Sequence, residues 1–506
     1  MSTNKLFLVL LLLIFNQCIS YSQSETFDDI LNVQIRNVGT IEHDGDVTGH
    51  YIFYKTEKID KKTYSYKLSI LNQDLLLIKN IEKIGSKSLV LLECVYNGNA
   101  ILMKYLDRST KEFEFEIYDS KGELSYSKKI KLTNFELESI SQLQNSETEL
   151  VSIGLSPVGS IGFVDIGLTK HKDYKYEVRF FDNKDINKHW VVESANTKGM
   201  ESANFIAANN NKIVLSVAKR PSLMSTKQLF FTKVLDAKNG EILKEYDNIE
   251  LGNYQFINGF LLANNEINLI GNYFKKDDSP TKDHPAGIVS YTLSENNDLI
   301  NKKKSTFGRL LRGTSKNENP GHLHFHDFIR TDSNRIYVVG EYFKKKADGF
   351  GIAAAALGNA ASVVKLSIYD FVVAELNEDL KVEKIKIFDK ESHSVALPPG
   401  ALMAGSALLG NYVKLVGGFD YRYTQIIKSD NPYFISTYFD ESDEKDKVPK
   451  FKIVSNIDGI FTEDAVSLKT DATEIMVSKA KAGHILITEY FKKEKKMTLR
   501  LEKINI

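Results

Sequence analysis

The chain has 506 residues, with 66 basic and 66 acidic side chains, 10 histidines and a formal net charge of zero. Nucleic-acid binders carry a basic surplus or stripe, so this balance argues against nucleic acid as a partner. The two cysteines, Cys18 and Cys94, cannot form an internal disulfide framework once a leader is removed.

That leader is residues 1–22. Lys5 supplies a positive start, Leu6 to Phe15 form an apolar core of ten residues, and small Ser20 and Ser22 precede a cut ahead of Gln23. The core is too short for a bilayer, which needs about 20 residues. Phe15-Asn16-Gln17 is not the small apolar lead-in of a lipidated Cys18. Loss of Lys5 leaves 65 basic against 66 acidic residues. No later segment is long and apolar enough to cross a membrane. The expected location is therefore exported: periplasmic, cell-surface or extracellular. Cys94, in the apolar run Leu89–Val95, reads as an inert thiol.

Residues 23–506 read as one domain built from repeats. The strongest echo is Leu269-Ile-Gly-Asn-Tyr-Phe-Lys-Lys, then Val338-Val-Gly-Glu-Tyr-Phe-Lys-Lys and Leu486-Ile-Thr-Glu-Tyr-Phe-Lys-Lys. Leu415-Val-Gly-Gly-Phe-Asp is a looser copy. Each follows a turn rich in Asn, Asp, Ser or Gly, which marks a hairpin entering a strand. A second signal is an apolar strand ending in an Asp, Asn or Ser turn, as at Leu71-Asn72, Tyr118-Asp119, Leu235-Asp236, Leu293-Ser294 and Leu376-Asn377. The flanking runs, such as Glu112-Phe-Glu-Phe-Glu-Ile, alternate with the period of a strand.

Each unit thus reads as four strands, A to D. Second (B) strands are expected to begin near His50, Ala100, Glu149, Lys212, Glu266, Arg335, Tyr412 and His484. The predicted fold is all-β, a β-propeller of four-stranded antiparallel blades. Eight blades are expected, with seven the alternative count because the first A strand is poorly marked. The last unit runs out after three strands. An N-terminal strand, placed at Ile30–Val38, is expected to close the ring and cover the open sheet edge.

Units of the form Asn334-Arg-Ile-Tyr-Val-Val-Gly followed by Phe371-Val-Val-Ala-Glu-Leu-Asn resemble the repeats of bacterial secreted β-propellers. The resemblance covers nearly all of residues 23–506. It implies fold and export, and carries no functional residue with it.

In a four-stranded meander the B–C and D–A connections share one face. Here they are the long ones: Ser156–Asp173, Arg220–Thr226, Lys275–Ala286, Lys344–Asp370, Asp420–Pro432, Thr306–Gly321 and Asp389–Gly400. Ligand contact is expected on that face. Its sharpest feature is His322-Leu323-His324-Phe325-His326-Asp327, opening an A strand. Alternate residues share one face of a strand, so His322, His324 and His326 would project together, and neutral imidazole is a common metal ligand. Same-face neighbours lie about 7 Å apart, so three on one ion would require a bend. The plainer reading is a polar face alternating with buried Leu323 and Phe325. His284 is expected in a loop on the same face.

The insert at about 344–370 contains Phe350-Gly-Ile-Ala-Ala-Ala-Ala-Leu-Gly, small and apolar, suited to packing in the channel mouth or against a partner. Tyr421-Arg422-Tyr423, placed in a B–C loop, suits recognition of a peptide or glycan. No serine-hydrolase elbow, P-loop or dinucleotide fingerprint is present, so the catalytic residues are unknown. The expectation is an exported binding or scaffolding protein, monomeric and without a cofactor, recognising a protein, peptide or glycan. The alternative is a secreted hydrolase or lyase acting on a polymer, assisted by a divalent metal at the histidines.

Overall fold

The alternating runs form eight antiparallel sheets in a computed structural model. It describes residues 23–33, 37–138, 154–170, 173–195, 197–222, 225, 227–308, 321–331, 334–348, 364–398, 404–428, 432–440 and 450–505. The segment expected to be a leader and most of the apolar insert fall outside these residues. The protein is a β-propeller of eight four-stranded antiparallel blades, so the count of eight stands and seven does not.

B and C strands are buried along their length, as in Ile267–Tyr273 and Gly287–Leu293. This is why they read as nearly continuous apolar runs. Outer D strands such as Leu124–Lys131 alternate exposed and half-buried residues, which gives the period-two pattern. The C–D turns explain the second repeat signal. The Asn72 side chain accepts from the Asp74 and Leu76 amides, Asp119 from Lys121 and Glu123, and Asn377 from Asp379 and Lys381, each at 2.9–3.0 Å. A side chain that mimics a backbone turn is the reason Asn and Asp recur there.

The described residues group into two compact units. The smaller holds the first and last blades, joined by a core of Ile52, Leu71, Met476, Leu486 and Leu499. The last blade takes its outer strand from the start of the chain. The strand is Ser24–Phe27, pairing with Arg500–Met497, whereas Ile30–Val38 was expected. Ile30 and Val33 are core residues instead, fully and almost fully buried, and this burial accounts for their strand-like composition.

The larger unit holds the six blades between. Successive blades share apolar layers, for example Val214 and Val234 with Phe256 and Ile267, and Ile270 with Phe328 and Val338. Two expected B strands are displaced. In the third blade B is Gly162–Lys170, not near Glu149, a position outside the described residues, so Ser156–Asp173 is largely strand. In the seventh blade B is Tyr433–Asp440, and the segment around Tyr412 is a helix, Ser406–Leu415. Leu409 and Val413, one helical turn apart, pack with Phe343, Leu366, Ile368 and Phe419. That small core favours the 3.6-residue period over the strand echo of Leu415-Val-Gly-Gly. Gly417 ends the helix at φ 66°, and the Gly418 amide donates to the Val413 carbonyl at 2.8 Å.

Candidate functional site

The larger unit contains a cavity of about 1030 Å³ lined by A-strand residues of blades three to seven, by residues of the B and C strands such as Lys104, Arg179 and Asn272, and by the helix Ser406–Leu415. This side carries the B–C and D–A connections. Four A strands here are bulged where they pair with B, skipping Ile206, Ile257, His326 and Arg422. A bulge inserts an unpaired residue and redirects its side chain, and all four of these residues line the cavity.

The bulges give part of the repeat its meaning. In Leu269-Ile-Gly-Asn and Val338-Val-Gly-Glu the glycine faces the bulge. A Cβ on Gly271 would lie 2.0 Å from the Gln255 carbonyl oxygen, and one on Gly340 2.4 Å from that of His324. The eighth blade has Thr488 at this position, and its A–B pair runs without a shift. The fourth blade makes its bulge opposite Leu215, so glycine is one solution among others.

The bulge also sorts the histidines. His322 stacks on His284 with ring centroids 3.9 Å apart, while His324 and His326 adjoin at 5.0 Å. His324 stacks on Phe419 and His326 on Tyr421. Gly410 of the helix makes room for His324, since a Cβ there would meet Nδ1 at 2.5 Å. His324 Nε2 is buried without a hydrogen-bond partner, and burial drives its pKa well down, with His326 and Lys414 adding repulsion. His284 accepts at Nδ1 from the Ser406 amide at 3.1 Å, in place of the side-chain cap that Gly405 lacks. Among the described residues, no group of three or more His, Cys, Asp or Glu is arranged to hold a metal ion.

Behind His326 lies a buried charge network. Glu341, fully buried, accepts from His326 Nε2 and from the Tyr421 amide, both at 2.9 Å, and pairs with the buried Lys390 at 3.2 Å. Lys390 also bridges to Asp420, which pairs with His393 Nδ1 at 3.3 Å, and the other His393 nitrogen bonds the Gly418 carbonyl at 2.8 Å. Burial would raise the Glu341 carboxyl, but the His326 bond and Lys390 outweigh it and hold it down at about 2. An ionised carboxylate only accepts, so His326 carries its proton on Nε2 and leaves Nδ1 bare. Burial keeps His326 below its ordinary pKa despite Glu341, so the ring is neutral.

Asp327 accepts from Asn258 Nδ2 at 3.2 Å. Tyr421-Arg422-Tyr423 opens the A strand of the seventh blade, which corrects the loop assignment for Asp420–Pro432. The Tyr421 hydroxyl donates to Thr424 at 3.1 Å, the Arg422 guanidinium lies 4.5 Å from the Phe439 ring centre, and Tyr423 meets Phe451. On the opposite wall Arg179 pairs with Asp165 at 2.9 Å and Glu136 at 3.6 Å, and Lys104 pairs with the same Asp165. Sequence reasoning missed Glu341, Lys390, Lys414 and these pairs. One signal was available: Glu341 and Asn272 are polar residues at the same repeat position, inside otherwise apolar strands.

Fold and site define a β-propeller with a cavity on its loop-rich face whose lining mixes apolar side chains with histidine, amide and charged groups. The chain belongs to DUF6770, a family of unknown function, whose model matches residues 1–505. No curated protein matches. Among solved structures the chain is similar to a subtype N10 neuraminidase-like protein of a little yellow-shouldered bat isolate, at 9% identity over 76% of this chain and 95% of that one, with a TM-score of 0.29. It is also similar to Pyrococcus horikoshii acylaminoacyl peptidase, at 10% identity over 80% of this chain and 59% of that one, TM-score 0.30. For oligopeptidase B from Leishmania major the values are 9%, 85%, 54% and 0.32. Among the described residues, no helix is long and apolar enough to cross a membrane.

Proposed function

We propose that this protein is an exported binding protein, acting in the periplasm, at the cell surface or outside the cell, whose propeller cavity holds a segment of a peptide or glycan. The supporting observation is the cavity itself. At about 1030 Å³ it is large enough for a small ligand. Three of its lining residues, Asn272, His324 and Arg422, have buried polar atoms with no protein partner. Such atoms are costly to leave unpaired and are restored by a ligand of matching polarity.

The test uses the protein produced with its own leader. N-terminal sequencing after export is expected to begin at Gln23. Glycan and peptide arrays, followed by calorimetry, are expected to give a ligand that the Ile257→Trp variant, which obstructs the cavity beside the fifth-blade bulge, binds at least tenfold more weakly. Full binding by that variant would overturn the reading. Turnover of the ligand by the pure protein, with metal found on elemental analysis, would favour a metal-assisted hydrolase or lyase instead.

A further inference from the structure

Taking the cavity as the binding site, we infer that its wall between the sixth and seventh blades is a carboxylate subsite, and that the ligand is an acidic, uronate-containing oligosaccharide. The charges of the cavity are unevenly matched. Arg179 and Lys104, on one wall, are neutralised by Asp165, Glu136 and Glu177. Lys414 and Arg422, on the other, make no ion pair among the described residues, and Arg422 Nε is buried without a hydrogen-bond acceptor. The carboxylate lining this wall is Asp327, already engaged by Asn258. It attracts Lys414. With Glu341, Asp420 and Lys390 behind the wall the charges balance in number, but Lys414 and Arg422 are the two cations that no carboxylate contacts among the described residues.

A ligand carboxylate gives these two cations a partner and offers Arg422 a planar acceptor for its fork of N–H donors. His324, neutral and unpartnered at Nε2, adds a donor or acceptor according to its tautomer.

The lining also offers the amides that a sugar requires. Asn204, Gln255, Asn272 and Asn411 are amides, each offering both donors and acceptors, as sugar hydroxyls require. The aromatic faces nearest the cations are partly taken, since Phe419 is stacked by His324 and Tyr421 by His326.

The experiment is calorimetry on the protein from Gln23 onward with three probes: trigalacturonate, its methyl ester and hexaglutamate. Trigalacturonate is expected to bind, the uncharged ester at least tenfold more weakly, and hexaglutamate more weakly still. Lys414→Met and Arg422→Met are each expected to weaken trigalacturonate at least tenfold. Lys414→Met should leave the thermal midpoint nearly unchanged, since Lys414 makes no ion pair among the described residues. Arg422→Met also loses its contact with the Phe439 ring, so its affinity is measured well below its own midpoint. Equal binding of acid and ester, or unchanged affinity in both variants, would overturn the carboxylate subsite. If Ile257→Trp still weakened binding at least tenfold in that case, the cavity reading would survive. Preferential binding of hexaglutamate, or no binding of trigalacturonate, would overturn the assignment to an acidic sugar.

Discussion

His50, on the B strand of the first blade, provides a quantitative test of how burial governs this protein. It is wholly inaccessible, and neither ring nitrogen has a hydrogen-bond partner. Burial lowers its pKa from 6.5 to about 4. Above pH 6.5 the ring is neutral in both folded and unfolded chains and stability does not depend on it. As pH falls, the unfolded chain takes up the proton first, so stability is lost between about 6.5 and about 4. With those two values the loss is about 2 kcal/mol at pH 5 and about 3 kcal/mol below pH 4. His50→Leu removes the titrating group at similar volume. Urea denaturation of both proteins at pH 7.5, 6 and 5 is the assay, and histidines common to both cancel in the comparison. The advantage of the variant is expected to grow by about 2 kcal/mol from pH 7.5 to 5. A difference that stays constant across this range would refute the reasoning.

Three further outcomes are expected. Glu341→Gln removes one of the two carboxylates on Lys390, leaving Asp420 as its charge partner, and should cost about 1–3 kcal/mol in denaturant unfolding. Gly340→Ala puts a methyl 2.4 Å from the His324 carbonyl oxygen and should cost about 1–3 kcal/mol. The shifted bulge should also be visible in the His324 and His326 imidazole NMR signals. Asn377→Ala removes the acceptor of two turn amides and should cost about 1–2 kcal/mol without changing affinity for a cavity ligand.

The repeat was legible because it follows from local rules. Turn chemistry at Asn72, Asp119 and Asn377 and strand alternation point to eight blades; five of the eight expected B strands begin within one residue of the observed start, and a sixth, expected near His50, begins at Asp46. The errors arose where tertiary packing decides. Tyr412 lies in a segment that suits strand or helix, and the core around Leu409 and Val413 selects helix. Ile30–Val38 resembles an edge strand because Ile30 and Val33 are buried by other means. The site was only partly legible. The face and the histidine segment were readable, but strict alternation cannot anticipate a bulge that skips His326. The partners of Glu341 come from residues 49 and 79 positions further along, Lys390 and Asp420, and one sequence carries no signal of such pairing.

The pairing of Ser24–Phe27 with Arg500–Met497 bears on how the molecule is made. The earliest strand of residues 23–506 to leave the ribosome has no hydrogen-bonding neighbour until the last has followed it, so the closing sheet is a checkpoint on full-length delivery. A chain interrupted before Lys496 leaves Ser24–Phe27 exposed as an adhesive ribbon.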